Sequence, residues 1–288
     1  MSEEHDDFEP GPEDLAELPR DPMTDVAKGE ILEHLAANVG RVFYSRQLEV
    51  LLERKFFHWV TSRAIRELIS ERVFAVEPVK LGEKTEVRFL VPKGVRYYKR
   101  IISGMAALVR RYSNSDFTRA IGLQGENLFL TGLAQRGFAV NGRDVKEYGG
   151  KKWIATKHDL DFVVARDGVA YGVEVKNTLP YIPRDELRLK VRMCEGFGIV
   201  PLMIMRSAPK SYIFEEIVRP VEGVHRGFAL LFGKQIYPYG YDGFVADVVK
   251  ELGLPVHAPR AVPEGDIDRF VRWHLRWRSQ LGGSVNSK

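Results

Sequence analysis

Residues 161–176 read DFVVARDGVAYGVEVK. Two β-rich runs flank Asp167-Gly168, and an Asp-Gly pair in that setting is the strongest short-range signal for a two-residue hairpin turn. With those residues as the turn, Arg166 pairs with Val169 and Asp161 falls opposite Glu174. Side chains alternate along a strand, so Asp161, Glu174 and Lys176 share one face while Phe162, Val164, Tyr171, Val173 and Val175 share the other. One core face is expected, backed by a face of two carboxylates and an amine.

Like charges directly opposite each other destabilise a sheet, so this register calls for positive charge between the carboxylates. Lys176 supplies part of it. A divalent cation supplies more, because Mg²⁺ takes one or two carboxylates and keeps water and substrate phosphate in its other positions. The simpler alternative is a surface hairpin screened by water and neighbouring lysines, and a three-residue loop would shift the register.

Upstream, residues 122–140 read GLQGENLFLTGLAQRGFAV. Leu128, Leu130, Leu133 and Ala134 form a helical apolar stripe that Arg136-Gly137 ends, and Phe138-Ala139-Val140 begins a strand. Glu126 falls in the first turns of that helix. With Glu126 on the helix, Asp161 opening one strand and Glu174-Val175-Lys176 on the next, the chain resembles the PD-(D/E)XK nuclease superfamily, whose restriction-endonuclease-like fold includes archaeal Holliday-junction resolvases. The resemblance implies an α/β domain over residues 115–288, with a mixed central sheet flanked by helices. It also implies a nuclease that hydrolyses phosphodiester bonds, with DNA as the first choice of substrate in repair or recombination. Asp161, Glu174, the main-chain carbonyl of Val175 and Glu126 would hold Mg²⁺, with Mn²⁺ able to substitute, and Lys176 would orient the attacking water. Leu160 stands where the family often has proline, and Asp159 precedes it, so Asp159 rivals Asp161 for the first carboxylate role. A non-catalytic DNA-binding protein on the same fold and an RNA-directed nuclease are the alternatives.

The chain has 288 residues, 44% hydrophobic and 28% charged, with a net charge of +4. That composition suits a soluble protein with room for two domains. A single cysteine, Cys194, excludes an internal disulfide and suits a reducing cytoplasm. The longest apolar run, Ile199 to Met205, is far too short to span a bilayer. Residues 1–25 hold ten acids against Arg20, a balance of −9, which leaves +13 for residues 26–288. The acidic segment reads as a disordered tail, either solubilising or competing with nucleic acid for the basic body.

Between residues 26 and 95 the pattern is three helices and a hairpin. Ile31, Leu32 and Leu35 mark the first helix, Leu48, Leu51 and Leu52 the second, with Ser45 as its cap, and Ala64, Ile65, Leu68 and Ile69 the third. Strands follow at Val73–Pro78 and Glu86–Val91. This order resembles a winged helix-turn-helix domain. The resemblance implies a third helix in the major groove, presenting His58, Thr61, Ser62, Arg63 and Arg66, and a wing tip carrying Lys80 and Lys84 to the backbone. A protein-binding module is the alternative. Residues 96–114 read as a basic linker helix; Lys93, Arg96, Lys99, Arg100, Arg110 and Arg111 either track phosphates or form a solvated face.

After the hairpin, Arg184 to Glu195 reads as a crossover helix leading to a buried strand at Ile199–Met205. Lys190 and Arg192 on it are expected in solvent, with substrate contact as the alternative. Tyr212–Ile217 suggests a further strand. The last helix, near Asp266 to Leu281, carries a stripe of Phe270, Trp273, Trp277 and Leu281 that docks on its own domain or forms a homodimer interface.

Overall fold

The computed structural model describes residues 20–82, 86–221, 224–225, 227–259, 261 and 263–283. The chain forms two compact units. One comprises the residues up to Tyr112 with Asp247–Leu254, and the other Ser113–Ala246 with the chain from Pro255 onward.

The first unit runs α1 (Met23–Ala37), β1 (Phe43–Tyr44), α2 (Ser45–Leu52), α3 (His58–Ser70), β2 (Phe74–Lys80), β3 (Glu86–Pro92) and α4 (Tyr98–Tyr112). Its antiparallel sheet has the order β1-β3-β2. Ala27, Ile31, Leu48, Val60, Ala64, Leu68, Phe74 and Leu90 fill the core. Leu32 and Leu51 point outward instead, 44% and 47% exposed, because the buried stripe of α1 runs through Ala27 and Ile31 and that of α2 through Leu48 and Leu52. Ser45 is the first helical residue rather than the cap: the Tyr44 N–H donates to Gln47 Oε1 at 3.4 Å and closes that end.

Two expected boundaries move. Arg20 binds both Asp25 and Glu67 of α3, so residues 20–25 belong to the unit rather than to a tail; residues 1–19 lie outside the described residues. The span expected to link the units, 96–114, is helix α4, which buries Ile102, Met105, Ala106 and Val109 within the first unit. Asp247–Leu254 also belongs here and interrupts the 115–288 span. Val248 and Leu252 are buried, and Arg41 donates to the Lys250 carbonyl at 3.0 Å.

The second unit is mixed α/β. Its elements are α5 (Ser115–Gln135), β4 (Ala139–Val145), a small hairpin of β5 (Glu147–Tyr148) and β6 (Lys151–Lys152), β7 (Leu160–Arg166), β8 (Val169–Lys176), α6 (Arg184–Phe197), β9 (Val200–Met205), an edge strand Phe228–Leu231 and a C-terminal helix Glu264–Gly283. The edge strand, β9, β8, β7 and β4 make one five-stranded sheet in that order. β8 and β9 are parallel, joined by α6 as crossover; β7 is antiparallel to β8 and to β4. Asp167 and Gly168 adopt φ of 54° and 78°, the paired positive values of a type I′ turn, and the ladder pairs Arg166 with Val169 and Phe162 with Val173.

Both faces of this sheet are covered, so the expectation of one apolar and one polar face is corrected. Phe162, Val164, Tyr171, Val173 and Val175 pack under α5 and the C-terminal helix. Val163, Met203 and Met205 pack under Leu187, Val191 and Cys194 of α6. A Cβ at Gly172 would lie 2.5 Å from Cys194 Sγ, so the absent side chain is what lets α6 approach. The polar residues are confined to the end of the second face.

Tyr212–Ile217 is a helical turn, not a strand: the Pro209 carbonyl accepts from Tyr212 and Ile213, and Ile217 drops into the α6-side core. Phe270 and Trp273 of the C-terminal helix stack against the sheet of their own unit, while the side chain of Leu281 lies outside those described. His274 is buried between the Tyr171 hydroxyl at 2.6 Å and Asp167 at 3.2 Å, tying the helix to the hairpin turn. Among the described residues no helix is long and apolar enough to cross a membrane.

Candidate active site

Because β7 and β8 run antiparallel, the start of one and the end of the other lie at the same end of the sheet, which brings Asp161 to Glu174 and Lys176. The Asp161 carboxylate accepts the Val175 N–H at 2.6 Å, so it also terminates the ladder. Glu174 is 1% exposed. Its Oε1 lies 3.1 Å from Lys176 Nζ and its Oε2 2.8 Å from Lys190 Nζ. The second contact is an ion pair without hydrogen-bond alignment, leaving Oε2 buried and without a hydrogen bond. Lys176 also reaches Glu186 of α6 at 2.7 Å.

Glu126 comes from near the middle of α5 rather than its first turns. The helix starts earlier than its apolar stripe suggests, because Asn114 caps it by accepting from Asp116 and Phe117. Asn177, the residue after Lys176, sets the helix in place. Its amide donates to the carbonyls of Ile121 in α5 and Ile236, at 2.7 and 2.6 Å, and accepts the Ile236 N–H at 2.8 Å. A Cβ on Gly125 would sit 2.9 Å from that of Asn177, so glycine next to Glu126 permits the contact. Arg143 of β4 approaches Glu126 at 3.9 Å and bonds Asn127.

The electrostatics follow from burial and from the facing acids. Burial, then the charge of Glu174, pushes Asp161 up to about 8, against the lowering effect of the Val175 N–H. Glu126 is raised as well, by burial first, with Arg143 opposing and Asp144 and Glu174 adding. For Lys176 burial acts to lower the pKa, but Glu174 and Glu186 outweigh it and hold the ammonium charged.

Lys190, expected in solvent, is not there. Instead it is 4% exposed, bound to Glu174 and to the Asp159 carbonyl, since Gly172 lets α6 lie close on this face. No motif marks that role; only the position of Lys190 three residues after Leu187, on the inner side of an amphipathic helix, hinted at it. Asp159 enters the cluster through its carbonyl alone, and its carboxylate faces Lys146 at 4.0 Å. Glu186, Asn177 and Gly125 also went unread.

A divalent cation fits what is present. The donors are all oxygen, and Asp161 faces the charge of Glu174, a repulsion that a cation would relieve. Among the described residues no group of three or more His, Cys, Asp or Glu side chains is placed to hold a metal ion, so a cation here would rest on two carboxylates, main-chain oxygen and water. Mg²⁺ sites seldom use a protein-only cage.

In the first unit the expected nucleic-acid residues are only partly displayed. Thr61 is fully buried on the core side of α3 and cannot reach a ligand, which corrects its assignment. His58 is half-buried, and burial and then Arg46 lower its pKa, which favours the neutral ring. Arg63 and Arg66 lie on the half-exposed face of α3, and Arg66 is lowered by burial and by Arg63. Lys80 is exposed at the end of β2, and Lys84 lies outside the described residues. Arg110 donates to the carbonyls of Lys80 and Leu81 at 3.4 Å, bracing that turn, and Arg111 is exposed on α4.

Compared with known proteins, the chain matches no family model, no curated protein and no solved structure.

Proposed function

We propose that this protein is a metal-dependent nuclease of the PD-(D/E)XK type, acting on DNA, with a winged helix as its first unit. The observation that carries this reading is the convergence of Asp161, Glu174 and Lys176 at one end of the β7-β8 pair, beside Glu126. Asp161, Glu174 and the Val175 carbonyl are the groups that would hold Mg²⁺ or Mn²⁺, with Glu126 placed to support the metal's waters or a second ion. The cation would polarise the phosphate and lower the pKa of the attacking water.

The chain's own residues do the rest. Lys176 is partly exposed and permanently charged, so it can orient the attacking water and offset charge on the phosphate. Glu186 and Glu174 aim its ammonium. Lys176 and Lys190 flank Glu174 on its two oxygens, and Asn177 keeps α5, with Glu126, against the strand end. In the first unit, three helices and a sheet ordered β1-β3-β2 support a winged-helix reading, with Arg63, Arg66 and Lys80 as the groups offered to the duplex.

The test is incubation of the purified protein with labelled single-stranded, duplex, branched and RNA substrates in Mg²⁺, Mn²⁺ or EDTA. Cleavage of DNA that needs the metal and is lost in Asp161→Asn supports the reading. Absence of cleavage of every substrate in both metals overturns it.

A further inference from the structure

Residues 87–115 hold seven basic side chains, Arg88, Lys93, Arg96, Lys99, Arg100, Arg110 and Arg111, and no acid. Four of them crowd the turn into α4. Lys93, Arg96, Lys99 and Arg100 are all exposed, and none has a side-chain hydrogen-bond or ion-pair partner among the described residues. The first turn of α4 holds Lys99 and Arg100 and no acid, the reverse of what a helix dipole favours. Positive charges gathered without counter-charge repel one another, and an anionic partner removes that repulsion.

In their midst stands Tyr97, 85% exposed. Its φ is +57°, a conformation strained for an aromatic residue. The segment is nonetheless held. Lys93 N–H bonds the Val73 carbonyl at 3.1 Å, Val95 N–H the Pro92 carbonyl at 3.2 Å, and Arg100 N–H the Tyr97 carbonyl at 3.1 Å. An exposed ring on a held backbone, flanked along the chain by unpaired cations, matches the recognition of unpaired strands, where bases stack on aromatic side chains and basic groups follow the backbone.

We propose that Lys93–Arg100 is a binding site for single-stranded or unstacked nucleic acid, in which Tyr97 stacks on a base and Lys93, Arg96, Lys99 and Arg100 take the phosphates. Inside a duplex both faces of a base are covered by its stacked neighbours, so the ring selects against intact duplex. An anionic lipid surface would want a continuous apolar face beside the cations, but the apolar side of α4, Ile102, Met105, Ala106 and Val109, is buried in the unit. The site rests on the nucleic-acid part of the function proposed above and not on cleavage.

The test is fluorescence anisotropy of the full chain in EDTA, with a labelled oligothymidylate, a duplex of equal length and phosphatidylserine vesicles. Tyr97→Gly should weaken single-strand binding by about five- to a hundredfold and leave duplex binding unchanged. Its melting temperature should hold or rise, since glycine takes positive φ without strain. Tyr97→Trp should retain binding, and Lys99→Glu with Arg100→Glu should weaken it and flatten its salt dependence. Unchanged single-strand affinity in Tyr97→Gly, equal losses for single strand and duplex, or Tyr97-dependent vesicle binding would each overturn the site. Tyr97-dependent binding in a protein that cleaves nothing counts for this site and against the nuclease.

Discussion

The ammonium of Lys190 lies 2.8 Å from Oε2 of Glu174, and the two side chains are 5% and 2% exposed. Removing one member of such a pair leaves the other charge buried and uncompensated. Lys190→Met is therefore expected to cost about 3–5 kcal/mol of stability, measured by urea denaturation. Adding Glu174→Gln should return a large part of it; simple additivity of the two losses would show that the pair is not coupled.

Asp161→Asn, Glu174→Gln and Lys176→Ala should each lower cleavage by about a hundredfold or more, with nucleic-acid binding in EDTA little changed. Asp159→Ala should be mild, because its carboxylate faces Lys146 and not the cluster. Single-turnover assays on the four variants decide the matter, and full loss in Asp159→Ala alone would move the first carboxylate role there.

In the metal-free protein Asp161 is pushed up to about 8, against an ordinary 3.8. Between those values the folded chain holds a proton that the unfolded chain has released, so this group makes stability fall as pH rises through the window. Thermal unfolding in EDTA should show Asp161→Asn gaining on the wild type from pH 5 to pH 8. Parallel curves would contradict the burial and the facing charge of Glu174 as causes.

Mg²⁺ should raise the melting temperature of the wild type without substrate, by about 2.7 kcal/mol of stabilisation at a hundred times its dissociation constant. Asp161→Asn and Glu174→Gln should abolish the response. A shift of equal size in all three proteins would place the cation elsewhere.

On the first unit, Arg63→Ala with Arg66→Ala should weaken duplex affinity by about 1–3 kcal/mol if they reach bases. Thr61→Val should leave affinity unchanged, because the side chain is buried. Titration by anisotropy at two salt concentrations separates base contact from phosphate contact; no change in the arginine pair would make α3 a protein-contact surface.

The sequence alone determined what depends on near neighbours. The Asp167-Gly168 turn followed from local φ preferences, and the register of β7 on β8 followed from the turn, so the convergence of Asp161 with Glu174 and Lys176 was legible from one hairpin. The existence of the first unit's helices was legible for the same reason, but not every buried position was, since Leu32 and Leu51 face outward. Tertiary structure decided everything that one segment does to a distant one. Lys190 and Glu186 join the site because Gly172 lets α6 close on the sheet, and Asn177 seats α5 through carbonyls fifty-six and fifty-nine residues away. Thr61 left the candidate interface because its side of α3 faces the core, and the second face of the hairpin turned out covered as well. Periodicity tells which residues share a face; what covers that face is set by long-range packing, where neighbours in space are far apart in the chain.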